Sequence, residues 1–186
     1  MREVSVLAIS GSLRARSYNS ALAQAAQKHA PKGVDVGIYE GLRDIPPFDE
    51  DFETGPPPAP VADLRRRIDA ADALLVVTPE YNGSFPGVLK NALDWASRPA
   101  GRSSLQGKTV AIAGASPSNF GTSRAQLALR QVFLSLDARI VAQPEVMVFR
   151  AHERIDDAGN LTDETSVDLL RTLVEKLAGM ARAAAA

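Results

Sequence analysis

Val4-Ser5-Val6-Leu7-Ala8-Ile9-Ser10-Gly11-Ser12-Leu13-Arg14-Ala15-Arg16-Ser17-Tyr18-Asn19 is the stretch that decides the fold. Its first six residues are mostly β-branched or apolar and stop at Ser10-Gly11-Ser12, which reads as a short buried strand. From residue 19 to residue 30, Ala21, Leu22, Ala25 and Ala26 recur at helical spacing until Pro31 and Gly33 end the pattern. A strand that runs through a polar, glycine-containing turn into a helix opens a βαβ unit, whose parallel strands are covered on both faces.

The same unit repeats along the chain. Residues 34–39 and 73–78 read as strands two and three, the latter apolar almost throughout. Between them, residues 41–60 hold six prolines and read as a long loop, functional or mobile; residues 61–71 form a helix with Leu64 and Ile68 on one side. Pro86 opens a third helix over 86–97, where a missing N–H costs nothing. Strand four follows at 109–114 and helix four at 122–136. A fifth strand starts at 139–141 and continues through 146–148. The closing helix covers 162–180, with Val167, Leu170, Val174 and Leu177 on one face, and the alanine tail beyond Arg182 is expected to fray. Five strands alternating with five helices specify one doubly wound α/β domain over residues 1–186, with strand order 2-1-3-4-5. Its ligand belongs at the carboxyl ends of the strands, in the loops after strands one, three and four.

Composition narrows the function. The 186 residues are 45% hydrophobic and 23% charged, with net charge −1, an ordinary globular balance that gives no electrostatic case for nucleic acid or an anionic membrane. The Arg65-Arg66-Arg67 run is expected to be a solvated face. There is no cysteine, so disulfides, thiol nucleophiles, thiolate zinc sites and iron–sulfur clusters are excluded. The N-terminus does not read as a signal peptide, and no apolar run approaches the roughly 20 residues that span a bilayer. A cytoplasmic protein is the expectation.

The loop after strand one gathers the hydroxyls of Ser10, Ser12 and Ser17, the Asn19 amide, Arg14 and Arg16, and Gly11 for close backbone approach, all before a helix N-terminus. Peptide N–H groups, the helix dipole and a guanidinium together make an anion site. Ser17 or Asn19 would also serve as an N-cap, which accounts for only one of these residues. One glycine stands where a dinucleotide fingerprint needs three, and no Walker lysine follows. A terminal phosphate monoester fits better than a pyrophosphate. The loop after strand three reads Pro79-Glu80-Tyr81-Asn82-Gly83-Ser84-Phe85-Pro86-Gly87; its prolines stiffen it, and Asn82-Gly83 favours a turn with positive φ. Peptide groups held outward there can bond the polar edge of a planar ligand while Tyr81 covers a face.

The two segments together, Gly11-Ser12-Leu13-Arg14 with Ser17-Tyr18-Asn19 and Pro79-Glu80-Tyr81-Asn82 with Leu89-Lys90-Asn91-Ala92-Leu93-Asp94-Trp95, resemble the NADPH-dependent FMN reductase family, which includes quinone, chromate and azo-dye reductases. The resemblance runs from strand one through helix four. It implies a flavodoxin-like fold, bound FMN, NADPH or NADH as donor, small-molecule electron acceptors and a homodimer or homotetramer. Carried over by position, Ser10, Ser12, Leu13, Arg14, Ser17, Tyr18 and Asn19 hold the phosphate end of FMN. Pro79, Glu80, Tyr81, Asn82 and Gly83 line the ring and ribityl region, and Ser116, with Gly114-Ala115 before it and Phe120-Gly121-Thr122 after it, meets the other side. Arg124 and Glu145 resemble positions used between subunits. Leu93 and Trp95 read as core or interface residues, and the helix over 86–97 is expected to set part of its apolar face, Trp95 included, against a partner.

The implied reaction is a ping-pong oxidation of NAD(P)H in which the cofactor performs the redox chemistry and side chains bind and orient. Three rivals remain at the level of sequence. A flavodoxin-type electron carrier shares the fold, but such carriers are strongly acidic. A serine hydrolase would have only His29 and His152 and lacks a G-x-S-x-G elbow. A Rossmann dehydrogenase fails on its glycines, although Glu40 could stand in for the ribose carboxylate.

Overall fold

The computed structural model describes residues 2–185. Six helices, α1 (Tyr18–Lys28), α2 (Ala59–Ala70), α3 (Gly87–Ala96), α4 (Ser123–Ser135), the single turn α5 (Ala151–Arg154) and α6 (Glu164–Ala184), enclose a parallel sheet. Its strands β1 (Val4–Ser10), β2 (Val34–Tyr39), β3 (Ala73–Val77), β4 (Thr109–Ala115) and β5 (Arg139–Ile140) lie in the order β2-β1-β3-β4-β5. Ala8 sits between Ile38 and Leu75, so the strand order reverses at β1, as the sequence pattern requires.

Alternation along the strands divides the core in two. Val4, Val6 and Ala8 of β1, with Ala111, Ala113 and Ala115 of β4, pack under Leu22 of α1 and Leu170, Val174 and Leu177 of α6. Leu7 and Ile9, with Val110 and Ile112, face Leu64 and Ile68 of α2, Leu89 and Trp95 of α3, and Phe133 of α4. Both faces are apolar because both are covered.

Four expectations need correction. The fifth strand is broken: β5 pairs with the start of β4, and a separate β6 (Val146–Val148) pairs with its end. Pro144 has no N–H to give to β4, and α4 holds the carbonyls on either side of the jog, through Arg130 to Val141 and Gln126 to Val146. The proline-rich loop is not structureless, since it contains 3₁₀ turns at Gly41–Asp44 and Glu50–Thr54. It is also pinned to α3: Asn91 Nδ2 and Trp95 Nε1 both donate to the Pro46 carbonyl at 2.8 Å, and the Phe48 N–H donates to Asn91 Oδ1 at 2.7 Å. Helix α6 continues through the alanine tail to Ala184, as alanine's helix propensity favours, anchored by buried Ala181 and by Arg182 donating to the Gly33 carbonyl.

The fourth correction concerns the partner-facing helix. Trp95 is 1% exposed and Leu89, Ala92, Leu93 and Ala96 are buried with it inside the chain, so this apolar face is spent on the fold. Of the arginine run, Arg66 and Arg67 do lie on the solvated side with Asp63, whereas Arg65 turns in to the Trp95 carbonyl.

Candidate functional site

Three loops converge at the carboxyl ends of β1, β3 and β4. The first is the turn before α1. Ser17 is the helix N-cap, its hydroxyl accepting from the N–H groups of Asn19 at 3.1 Å and Ser20 at 3.3 Å. The first turn of α1 contains no acidic residue. Arg14 folds over this turn, donating from Nε and Nη2 to the Arg16 carbonyl at 3.1 and 2.6 Å, and lies 5.4 Å from the centre of the Tyr18 ring. The hydroxyls of Ser12 and Ser17, the N-terminus of α1 and the Arg14 guanidinium thus share one corner, the donor chemistry an anion needs.

The second loop leaves β3 at Thr78. Tyr81 and Ser84 bridge as an antiparallel pair, and between them Asn82 and Gly83 have φ of 52° and 78°, the two left-handed residues a type I′ turn requires. The turn leaves Tyr81 half exposed on the rim. Glu80 points the other way. Its Oε2 accepts from the backbone N–H groups of Arg124 at 3.0 Å and Ala125 at 3.3 Å, and its Oε1 lies 3.1 Å from Arg124 Nε. Helix α4 needs this outside cap because its own N-cap, Thr122, uses its hydroxyl to accept from Gln126 Nε2.

The third loop begins at Ser116. Its N–H donates to the Val148 carbonyl, and its hydroxyl accepts from the Ser118 N–H. Gly114, one residue inside β4, is forced to be glycine: a methyl group there would overlap the Thr122 hydroxyl and the Thr78 carbonyl. This close crossing brings the start of α4 against the end of β3.

The structure brings together most of the residues expected at the site, and separates some. Ser12, Arg14, Ser17 and Tyr18 form one side of a cleft of about 80 Å³, Pro79, Glu80 and Tyr81 another, and Ala115, Ser116 and Pro117 the third. Asn19 borders it, but its carboxamide is turned away, with Nδ2 donating to the Ala115 carbonyl and Oδ1 accepting from the Ala115 N–H, both at 2.9 Å. Asn82 and Gly83 shape the adjacent turn without walling the cleft. Ser10 and Leu13 lie on the β2 side of the first loop, in a separate hollow of about 300 Å³ that also holds Glu40 and Arg43; Ser10 Oγ is 3.1 Å from Ser20 Oγ. Gly11 admits a side chain rather than a ligand, since a Cβ there would press on Leu89 at 3.0 Å. A larger hollow of about 550 Å³ runs from Arg14 and Arg16 toward His152 and residues 155–159, so Arg14 borders all three spaces. Arg124 and Glu145 each have a partner within the chain, Glu80 and Arg130.

Sequence reasoning missed the Glu80 cap, the Gly114 crossing and the hairpin closed by Ile155 and Leu161. A carboxylate two residues past a strand looks the same whether it faces a ligand or a helix. The signal for Gly114 was present, since a glycine in an otherwise apolar strand marks a close approach.

Comparison with known proteins matches this architecture. Residues 4–153 match the family model described as NADPH-dependent FMN reductase. An NAD(P)H-dependent FMN reductase of Pseudomonas aeruginosa is 46% identical over 94% of both chains, and a 2-hydroxy-1,4-benzoquinone reductase of a Burkholderia species is 41% identical over 95% of this chain and 96% of that one. The solved structure of FerB, a flavoenzyme NAD(P)H:(acceptor) oxidoreductase from Paracoccus denitrificans, superposes with a TM-score of 0.87 at 34% identity, covering 96% of this chain and 97% of that one. Fold and site together therefore define a flavodoxin-like oxidoreductase. The chain belongs to the NADPH-dependent FMN reductase family, with FMN as its flavin and a reduced nicotinamide as donor.

Proposed function

We propose that the chain holds FMN with its phosphate on the turn formed by Ser12, Arg14 and Ser17 and its ring between Tyr81 and Ser116, and that it reduces quinones with NAD(P)H in a ping-pong cycle. The observation that carries this reading is the convergence of the three loops on one cleft, where Glu80, the one carboxylate lining it among the described residues, is already paired with the α4 N-terminus and Arg124. The α1 N-terminus and Arg14 at the phosphate corner are thereby not opposed by a free carboxylate in the cleft lining.

Bound FMN would supply the redox chemistry that links NAD(P)H oxidation to reduction of the acceptor. The protein's part is binding and orientation. Ser12 and Ser17 bond phosphate oxygens, and Arg14 swings from the Arg16 carbonyl to neutralise their charge. Tyr81, half exposed on the rim, offers a flat face for planar substrates. The Asn82-Gly83 turn holds that face rigid. Quinones are the favoured acceptors because the cleft is open and edged by an aromatic ring, and because the Burkholderia relative carries a benzoquinone in its name. On this reading the bound flavin would leave one face open, and donor and acceptor would use it in turn. Initial rates with NADPH or NADH and 1,4-benzoquinone should give parallel double-reciprocal lines, with NADP⁺ competing against the quinone. Intersecting lines with a demonstrable ternary complex would require two substrate sites and defeat the single-face reading. Failure to oxidise NAD(P)H at all would return the chain to electron-carrier status. Azo dyes, chromate and free flavin belong in the same assay.

We further infer a homo-oligomer working in the cytoplasm. Among the described helices, none is long and apolar enough to cross a membrane. Helix α4 exposes Leu127 and Leu134, seven residues apart on one face and 59% and 67% accessible, with exposed Phe120 just before it. Such a row in contact with water marks an interaction surface. A second copy of the chain is the partner the family resemblance favours. Light scattering should find a dimer or tetramer that Leu127→Glu with Leu134→Glu converts to monomer; a wild-type monomer at full activity would defeat this.

A further inference from the structure

The Asn19 carboxamide completes the sheet where β3 stops. The β3–β4 ladder ends with Val77 opposite Ala113, and the Thr78 N–H makes one last bond to the Ala113 carbonyl. Beyond it Pro79 has no N–H, and the chain turns off into the second loop. The next peptide edge of β4 on that side, the N–H and C=O of Ala115, would be left open. Asn19, at the second position of α1 and 3% exposed, fills it with a donor and an acceptor, each at 2.9 Å. The carboxamide has the geometry of a peptide unit and stands in for the missing strand residue. Ala115 in turn is the last residue of β4, next to Ser116, where the third loop enters the cleft.

We propose that Asn19 is a positioning residue, which fixes the third loop against the phosphate-binding turn, and that its side chain does not bind the phosphate. This rests on the reading of the cleft as the flavin site. Asparagine alone suits the position: aspartate would set an oxygen against the Ala115 carbonyl, and an apolar residue would leave two buried peptide groups unpaired. Ser116 and Pro117 stand across the cleft from the phosphate corner, so a displaced third loop disturbs the ring end of the ligand rather than the phosphate end.

Riboflavin, which lacks the phosphate, separates the two roles. The full-length apo-protein and its Asn19→Ala and Asn19→Asp variants are titrated with FMN and with riboflavin, reading flavin fluorescence, and thermal unfolding is recorded without flavin. Asn19→Ala should raise both dissociation constants by a similar factor, about tenfold or more for two lost bonds, and Asn19→Asp should do no better. Loss of FMN binding with riboflavin affinity unchanged would make Asn19 a phosphate ligand and overturn the proposal. So would a lowered Tm with both affinities intact, which is a purely structural role. A wild-type protein that binds neither flavin would sink the cleft reading itself, and the proposal with it. Should the variants not fold, hydrogen exchange on the wild type decides: the Ala115 amide should be protected like its β4 neighbours, and exchange at the rate of an open loop would refute the brace.

Discussion

Replacing Glu80 by alanine removes the cap that α4 receives from the second loop. Its carboxylate accepts from two helix N–H groups at 3.0 and 3.3 Å and is 10% exposed, whereas Arg124, its ion-pair partner, is 62% exposed. An N-cap acceptor contributes about 0.5–2 kcal/mol, and a carboxylate at the positive end of a helix adds roughly 0.3–1 kcal/mol. An ion pair exposed on the arginine side adds about 0–1 kcal/mol. Glu80→Ala should therefore cost about 2 kcal/mol, a fall in Tm of about 4–8 °C at this chain length. Glu80→Gln keeps one acceptor oxygen and should lose about half as much. Arg124→Ala should lose about 0.5 kcal/mol or less. Urea unfolding followed by far-UV circular dichroism measures all three. Because the main contact is with peptide N–H groups beneath an almost buried carboxylate, raising the salt should change the Glu80→Ala deficit little. The reasoning fails if Glu80→Ala unfolds within about 0.5 kcal/mol of wild type, or if Arg124→Ala costs as much as Glu80→Ala, since the ion pair rather than the cap would then hold the loops together.

Three other outcomes are expected. Arg14→Ala should leave the fold intact and weaken FMN binding about thirtyfold, the loss of roughly 2 kcal/mol from a charged bond to phosphate; an unchanged dissociation constant in a titration of apo-protein would transfer the role to Arg16. Gly114→Ala should destabilise by about 3 kcal/mol or more, because the added methyl meets backbone and a buried hydroxyl rather than a flexible chain end; a loss below about 1 kcal/mol in the same urea assay would show that the crossing can relax. Asp163 caps α6, and the hydroxyl of Ser166, opposed by partial burial and helped by the Ser166 N–H and Arg154, holds its carboxyl below the usual aspartate range. A lowered folded-state pKa contributes stability above the unfolded value of about 3.9 and loses it as pH falls through the folded value. Asp163→Ala should thus be less stable than wild type by about 1–2 kcal/mol at neutral pH, with the gap closing below about pH 4; a gap constant down to strong acid would mean the charge is not what caps the helix.

The sheet was legible because burial on both faces leaves near-continuous apolar runs, and because the first, third and fourth of them run into serine, glycine or proline. What stayed hidden was governed by contacts distant in sequence. Nothing near Asn91 or Trp95 says that their polar atoms meet at the Pro46 carbonyl, so the proline-rich segment read as free and Trp95 as available to a partner. The break in the fifth strand was announced by Pro144, but its cause also includes Arg130 and Gln126, which sit a helix away in sequence.

The site residues divide along the same physical line. A serine or arginine in a turn keeps its polar atoms near its own backbone, and Ser12, Arg14 and Ser17 do border the cleft where the sequence puts them. Asparagine and glutamate carry groups that can complete the hydrogen bonding of other elements, and Asn19 and Glu80 both do so, one closing the edge of β4 and the other the start of α4. Asn19 ties the start of α1 to the end of β4, and Glu80 ties the second loop to the start of α4. The elements that frame the three loops are therefore braced to one another by polar groups that are buried or nearly so. A residue pattern shared across a family can record such braces as faithfully as it records ligand contacts, because losing either leaves polar groups unpaired in the interior. It follows that the motif alone cannot apportion its residues between the two roles, whereas the direction of each carboxamide and carboxylate in the fold does.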